Sequence, residues 1–148
     1  MSEPDPWDDD APTAAAEGAE PEAQAPQLYY GSVDEFVRDY LIHTYRRRIN
    51  GTHRVWAAEW WRYEEAIGRL EALWRAWEHL RLDPTTGASV WWRDHADPHM
   101  TALMSPDGPF AGEGIKNPEN TNKPGQPLPY SAPPVGMFPD VRGPDGSA

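Results

Sequence analysis

The residues best suited to chemistry stand together in Asp94-His95-Ala96-Asp97-Pro98-His99, where two imidazoles alternate with two carboxylates. On a continuous helix His95 and His99 would share a face at i,i+4, the spacing by which zinc-binding helices hold their metal. An imidazole beside a carboxylate is also the start of acid–base catalysis. Pro98 weighs against both. It disfavours helical backbone at Asp97, and its ring would clash with the Asp94 carbonyl if one helix ran through. The expected arrangement is a structural polar cluster of Asp94, His95, Asp97 and His99. Asp97 would cap a new short helix with Pro98 as its first residue, and no metal or catalytic role is assigned.

A second group is cationic. Arg46, Arg47 and Arg48, with Arg54 and Arg62 further on, form the one basic cluster of the sequence. Arginines among aromatics can grip phosphates and stack on bases. Yet residues 29–112 carry ten arginines against twelve Asp and Glu, whereas nucleic-acid-binding domains are usually net basic. The preferred expectation is a solvated helix end, the arginines facing the negative pole of the dipole and taking ion-pair partners. Nucleic acid comes second, and an acidic partner or the chain's own acidic N-terminal stretch third.

The third group is aromatic. Trp60-Trp61 and Trp91-Trp92 are adjacent pairs, and neighbours cannot face the same way, so one of each pair should be partly exposed. With Arg93 they have the composition of a protein-binding hot spot; the competing reading is an unusually broad core. Enzyme signatures are lacking: the chain has no Gly-rich phosphate loop, no nucleophile elbow and no cysteine. Disulfides and thiolate chemistry are thereby excluded.

These residues need elements to carry them. Ser32 and Glu35 are spaced as a capping box. Val33, Phe36, Val37, Tyr40, Leu41 and Thr44 then recur on one helical face, with Arg46–Arg48 in the last turn and Asn50-Gly51 as the stop. His53 to Trp61 reads as a loop or a short strand, with room for a minor β-hairpin. A second helix is expected from about Tyr63 to Leu82. Ile67, Leu70, Leu73, Trp74, Trp77 and Leu80 make its apolar stripe, and Glu65/Arg69 and Glu71/Arg75 pair on its wet face. After a turn at Asp83–Gly87, Ser89 caps a third helix to about His95, and the Asp97-Pro98 turn follows. Phe110 is the last expected core residue.

Residues 1–28 hold eight acids and no Lys or Arg, a composition that cannot offset the entropy of ordering. Residues 113–148 are rich in Pro and Gly and read as a second disordered tail. The formal charge of −11 is thus mostly a property of the N-terminal stretch, which repels DNA and anionic membrane. No apolar run approaches the ~20 residues of a transmembrane helix, and the acidic N-terminus is unlike a signal peptide. A cytoplasmic protein with no membrane contact and no cofactor is expected.

The run Arg69-Leu70-Glu71-Ala72-Leu73-Trp74-Arg75-Ala76-Trp77-Glu78-His79-Leu80 continues through Ser89-Val90-Trp91-Trp92-Arg93-Asp94-His95-Ala96-Asp97-Pro98-His99-Met100 and Pro106-Asp107-Gly108-Pro109-Phe110. With Tyr45-Arg46-Arg47-Arg48 and Trp60-Trp61 upstream, it resembles an actinobacterial family catalogued as domain of unknown function 4913. The chain departs from that pattern after Trp56, with Ala57-Ala58 in place of a Cys-Pro or similar pair. The resemblance covers about residues 30 to 112. It implies a setting and no chemistry: small accessory proteins of plasmids, integrative elements and phages. The sequence therefore points to a mainly α domain of three to four short helices at 29–112, with a Trp/Leu core between two disordered tails. Its expected role is non-catalytic binding of an unidentified protein, with nucleic-acid binding as the alternative and a metal-dependent enzyme at His95/His99 third.

Overall fold

Ser32 opens the first helix as its spacing predicts: the hydroxyl accepts from Glu35 N at 3.1 Å. The Glu35 carboxylate reaches one residue beyond the predicted box, accepting from Gly31 N at 2.6 Å. In the computed structural model, which describes residues 27–114 and 117–143, this helix (α1, 33–44) is not uniform. An α-helical turn, Val33–Phe36, leads into a π-helical turn, Val37–Leu41, before α geometry returns at Ile42–Thr44. Nothing in the sequence explains this widening. Helix α2 is Glu64–Leu80, entered through a 3-10 turn at Trp60–Arg62. Its wet face carries the expected pairs, Arg69 to Glu65 at 2.9 Å and Arg75 to Glu71 at 3.1 Å. The protein is mainly helical, and the described residues contain no strand.

The region from Gly87 to Met104 corrects the sequence reading. It is one continuous helix, α3 (87–104), made of α-helical Gly87–Val90, π-helical Trp91–Ala96 and α-helical Asp97–Met104. The π turn resolves the proline problem. Pro98 is the second residue of Asp97–Met104, directly after the π turn that holds Asp94. The regular α-helical turn in which its ring would strike the Asp94 carbonyl is therefore not the one that precedes it. Asp97 accordingly has helical backbone (φ −60, ψ −47) and is not an N-cap.

Four tryptophans are buried: Trp56, Trp60, Trp74 and Trp91. Around them lie Phe36, Leu41, Ile49, Leu70, Leu73, Met100, Leu103 and Phe110, all inaccessible to solvent. A buried indole N–H needs an acceptor. Trp56 donates to Pro129 O at 2.9 Å, Trp74 to Glu78 Oε2 and Trp91 to Leu73 O, while Trp60 Nε1 has no partner among the described residues. The half-buried Trp61 donates to Ser131 O at 2.9 Å. Glu78, itself buried, also accepts from Tyr29 N at 2.8 Å, Tyr30 N at 2.9 Å and Arg81 Nε at 3.1 Å. It fastens the chain before α1 to the end of α2.

The expected disorder from 113 onward does not hold for 117–143. This stretch is a strap laid along the helices, and Leu128 within it is as buried as the core. Asn120 is buried; its Oδ1 accepts from Ala58 N at 2.7 Å and its Nδ2 donates to Glu113 at 2.7 Å. Ser131 N bonds Ala58 O, and Tyr130 OH bonds Asp34 at 2.6 Å. Farther along, Val141 N reaches Gly31 O and Arg142 reaches Tyr29 O. The strap also stands where the hairpin was anticipated: it takes both backbone groups of Ala58, the N–H through Asn120 and the carbonyl through Ser131 N. The acidic tail expected at 1–28 lies, up to residue 26, outside the described residues, as do 144–148.

Candidate functional site

Tyr45 ends α1 with a non-helical backbone (φ −102, ψ 69), because its ring turns inward and its hydroxyl donates to Asp97 Oδ1 at 2.9 Å. Burial first, and then that bond, raises the Tyr45 pKa. Arg46, Arg47 and Arg48 therefore do not form the last helical turn but follow it in a segment without regular secondary structure. The strap holds them there through Asn122. Its Oδ1 accepts from Ile49 N at 2.8 Å, and its Nδ2 donates to Arg47 O at 3.0 Å. Arg46 in turn donates to Gly125 O at 2.8 Å.

The loop after the arginines is equally fixed. Asn50 Oδ1 accepts from the amides of Thr52 and His53 at 2.9 Å and of Arg54 at 3.3 Å. Gly51 supplies the positive φ of 83° the turn needs. Val55 N bonds Met104 O at 3.0 Å, tying this loop to the end of α3. Between them lies a cleft of about 430 Å³ lined by Tyr45, Arg47, His53, Arg54, Thr101, Met104 and Ser105.

The distribution of ion pairs singles out this face. Arg38, Arg62, Arg69, Arg75, Arg81, Arg93 and Arg142 each pair with a carboxylate. Among the described residues Arg46, Arg47, Arg48 and Arg54 have carbonyl partners but no carboxylate. A cation with only neutral partners keeps most of its field for a ligand. Arg62, grouped with these four in the sequence, belongs elsewhere. It bonds Glu59 at 3.0 Å and lines a cleft of about 120 Å³ among Glu59, Glu113 and Glu119.

Next to the arginines is an aromatic cleft of about 310 Å³, lined by Tyr40, Trp77, Trp91, Trp92, Arg81 and the 83–88 turn. Tyr40 comes from the π turn of α1 and Trp91 and Trp92 from that of α3, so the two widened turns meet here. Tyr40 lies 5.0 Å from Trp77 and 6.0 Å from Trp91, centroid to centroid. Tyr45 of the arginine cleft stacks on Trp92 of the aromatic one at 5.6 Å and 18°. Arg47 covers the Tyr45 ring at 4.0 Å. The two clefts thus adjoin across a single stacked pair.

The other sequence candidates separate. Of the tryptophan pairs, Trp60 and Trp91 are buried while Trp61 and Trp92 are half-buried. Trp61 lies under the strap and Trp92 in the aromatic cleft. Arg93 is exposed and bidentate with Asp94, which holds the Asp94 carboxyl below its usual range. Asp97 serves Tyr45, and His99 meets Arg69 at 3.2 Å. Burial first, then the charges of Arg69 and His95, lowers the His99 pKa. Of the expected polar cluster, Asp94, Asp97 and His99 thus bond separate partners, while His95 acts through its charge on both Asp94 and His99. Among the described residues no three His, Asp or Glu side chains are grouped to hold a metal ion, and no helix is long and apolar enough to cross a membrane.

Sequence reasoning missed Asn120, Asn122, Glu78 and Tyr40 as positioning residues. Only the spacing of Asn120, Asn122, Leu128 and Tyr130 in a Pro-rich stretch could have signalled the strap. Family comparison also extends past Phe110: a family profile matches residues 30–134, taking in the three helices and most of the strap. No curated protein and no solved structure matches the chain. The matching family is described as Domain of unknown function (DUF4913), and the chain belongs to it.

Proposed function

We propose that the chain is a non-catalytic protein-interaction module. It receives an acidic segment of a partner protein on the arginine face and seats an apolar or aromatic side chain of that segment in the aromatic cleft. The observation that carries this reading is the juxtaposition of Arg47 and Arg54, neither paired with a carboxylate among the described residues, with the Trp92 cleft across the Tyr45–Trp92 stack. Trp, Tyr and Arg are the residues that dominate binding energy at interfaces, and charge complementarity would steer an acidic segment to this side. The rigid Asn50 turn and Asn122 clamp favour it too, because a preorganised surface loses little entropy on binding. The separation of Asp94, Asp97 and His99 onto unrelated partners supports a non-catalytic role.

The setting we propose is the one the family resemblance implies, an accessory protein of an actinobacterial plasmid, integrative element or phage. The use of eleven Arg to two Lys, expected of a GC-rich genome, supports it. The same four arginines favour a second reading, nucleic-acid binding in plasmid or conjugative DNA handling. It ranks lower because acids outnumber arginines, twelve to ten, over residues 29–112.

Peptide-display selection against the full chain tests the first reading. The expected outcome is enrichment of peptides joining Asp or Glu to an aromatic or Leu anchor, with enrichment lost against Trp92→Ala and against Arg46, Arg47, Arg48 and Arg54→Ala together. Enrichment indifferent to both variants, or none, would overturn it. Submicromolar, steeply salt-dependent binding of duplex DNA would put the second reading first.

A further inference from the structure

The arginine cleft is more specific than a generally basic surface. Two arginines, Arg47 and Arg54, line one cavity together with His53, Thr101, Ser105, Tyr45 and Met104, and no Asp or Glu lines it. A carboxylate ligand has two oxygens and one charge. The cleft offers two planar forks, an imidazole and two hydroxyls, a donor set better matched to three oxygens and two charges. We propose that this cleft is a phosphate-monoester site. The proposal rests on reading the arginine face as a binding surface, and adds the group that the face recognises.

The loop geometry suits such a ligand. Asn50 Oδ1 gathers three successive amides and so fixes where His53 and Arg54 leave the backbone. Arg47 is held by the Asn122 bond to its own carbonyl and by its seat over the Tyr45 ring. The carbonyl end of α3 opposes an anion, but Met104 O is already taken by Val55 N–H. Partial charges there are outweighed by two full ones. The aromatic wall argues for an isolated phosphate over a nucleic-acid chain. Tyr45 is occupied by Arg47 and Trp92, so a base would have to displace one of them to stack on it.

The phosphate could be carried by a modified side chain of the partner or by a nucleotide, and titration of the isotope-labelled full chain separates these. The probes are inorganic phosphate, O-phosphoserine and AMP, each at ionic strength matched with chloride. The expected result is a saturable 1:1 response with a dissociation constant of about 1 mM or tighter. Shifts should centre on Arg47, His53, Arg54 and Thr101 and weaken at least ~10-fold in Arg47→Ala/Arg54→Ala, a change of two charge-assisted contacts. The melting temperature of that variant guards against misfolding, and Arg47→Lys/Arg54→Lys, which keeps the charge but not the fork, should recover part of the affinity. Tighter binding of O-phosphoserine assigns the site to a modified side chain; tighter binding of AMP assigns it to a nucleotide. A response no greater than chloride alone, or one that the double alanine variant leaves intact, would overturn the phosphate site. A phosphate response without any acidic peptide selected by display would leave the site standing and remove the interaction reading.

Discussion

Asn120→Ala is the sharpest test of the strap, because one side chain joins it to the helical body from inside. Its Oδ1 takes the buried Ala58 N–H at 2.7 Å, and its Nδ2 serves Glu113 at 2.7 Å. With alanine there, the Ala58 amide loses its acceptor in a region where Trp56, Ala57 and Ala58 are all nearly inaccessible. An orphaned buried donor costs about 1–3 kcal/mol. Glu113 keeps the Tyr63 hydroxyl as a partner and is half-exposed, so losing Nδ2 adds only the ~0.5–1.5 kcal/mol of an ordinary hydrogen bond. The expected destabilisation is about 2–4 kcal/mol. For a domain of this size that lowers the melting temperature by roughly 10 °C. Asn117→Ala is the control: Asn117 is exposed and caps Glu119 N at 3.0 Å, so the loss should be below about 1 kcal/mol. Thermal melts of the two full-length variants decide. If Asn120→Ala melts within a degree of the parent, the strap does not hold the fold, and its clamp on the arginines falls with it.

Two glycines should respond with opposite sign. Gly68 lies exposed inside α2 with nothing within 4 Å of an added Cβ, so Gly68→Ala should stabilise by about 0.5–1 kcal/mol. At Gly87 an added Cβ would strike the Leu80 carbonyl oxygen; Gly87→Ala must part α3 from the end of α2 and should destabilise clearly in a chemical melt. Glu78→Ala, which strands Arg81, the Trp74 indole and the amides of Tyr29 and Tyr30, should cost about 3–5 kcal/mol. His99 predicts a pH dependence. Its folded pKa lies below the unfolded 6.5, so the unfolded chain binds more protons as the pH falls through that value. Stability should then drop from neutral pH toward pH ~5, and His99→Gln should flatten that slope; an unchanged slope would contradict it.

Helix α2 and the Ser32 start could be read from the sequence because both are local. Helical spacing and an oxygen three residues from an amide need no tertiary partner to be recognised. The strap could not be read the same way. Pro- and Gly-rich chain lacks the periodicity of helix or strand, yet an extended segment needs neither if its backbone and its Asn side chains bond to a surface already built. The arginines show the same limit. Sequence spacing puts Arg46–Arg48 in a helical turn, but the pull of Tyr45 into the core and of Asn122 on Ile49 and Arg47 draws them out. At Pro98 local rules correctly found the conflict and chose the wrong resolution. A break was expected, and a π turn absorbs the residue instead. Among the candidate residues, the arginines and Trp92 were identifiable by type; their adjacency across the Tyr45–Trp92 stack depends on α1 and α3 meeting at their widened turns.

The measurement that bears most directly on the account is the affinity of the full chain for an acidic, aromatic-anchored peptide obtained by display, taken for the parent, for Trp92→Ala and for Arg47→Ala/Arg54→Ala. Hot-spot residues at an interface centre are worth at least about 2 kcal/mol, roughly 30-fold in affinity. The account predicts a loss of that order in each variant, with the arginine variant also losing most of the salt dependence. Parental affinity in both, with melting temperatures unchanged, would contradict it.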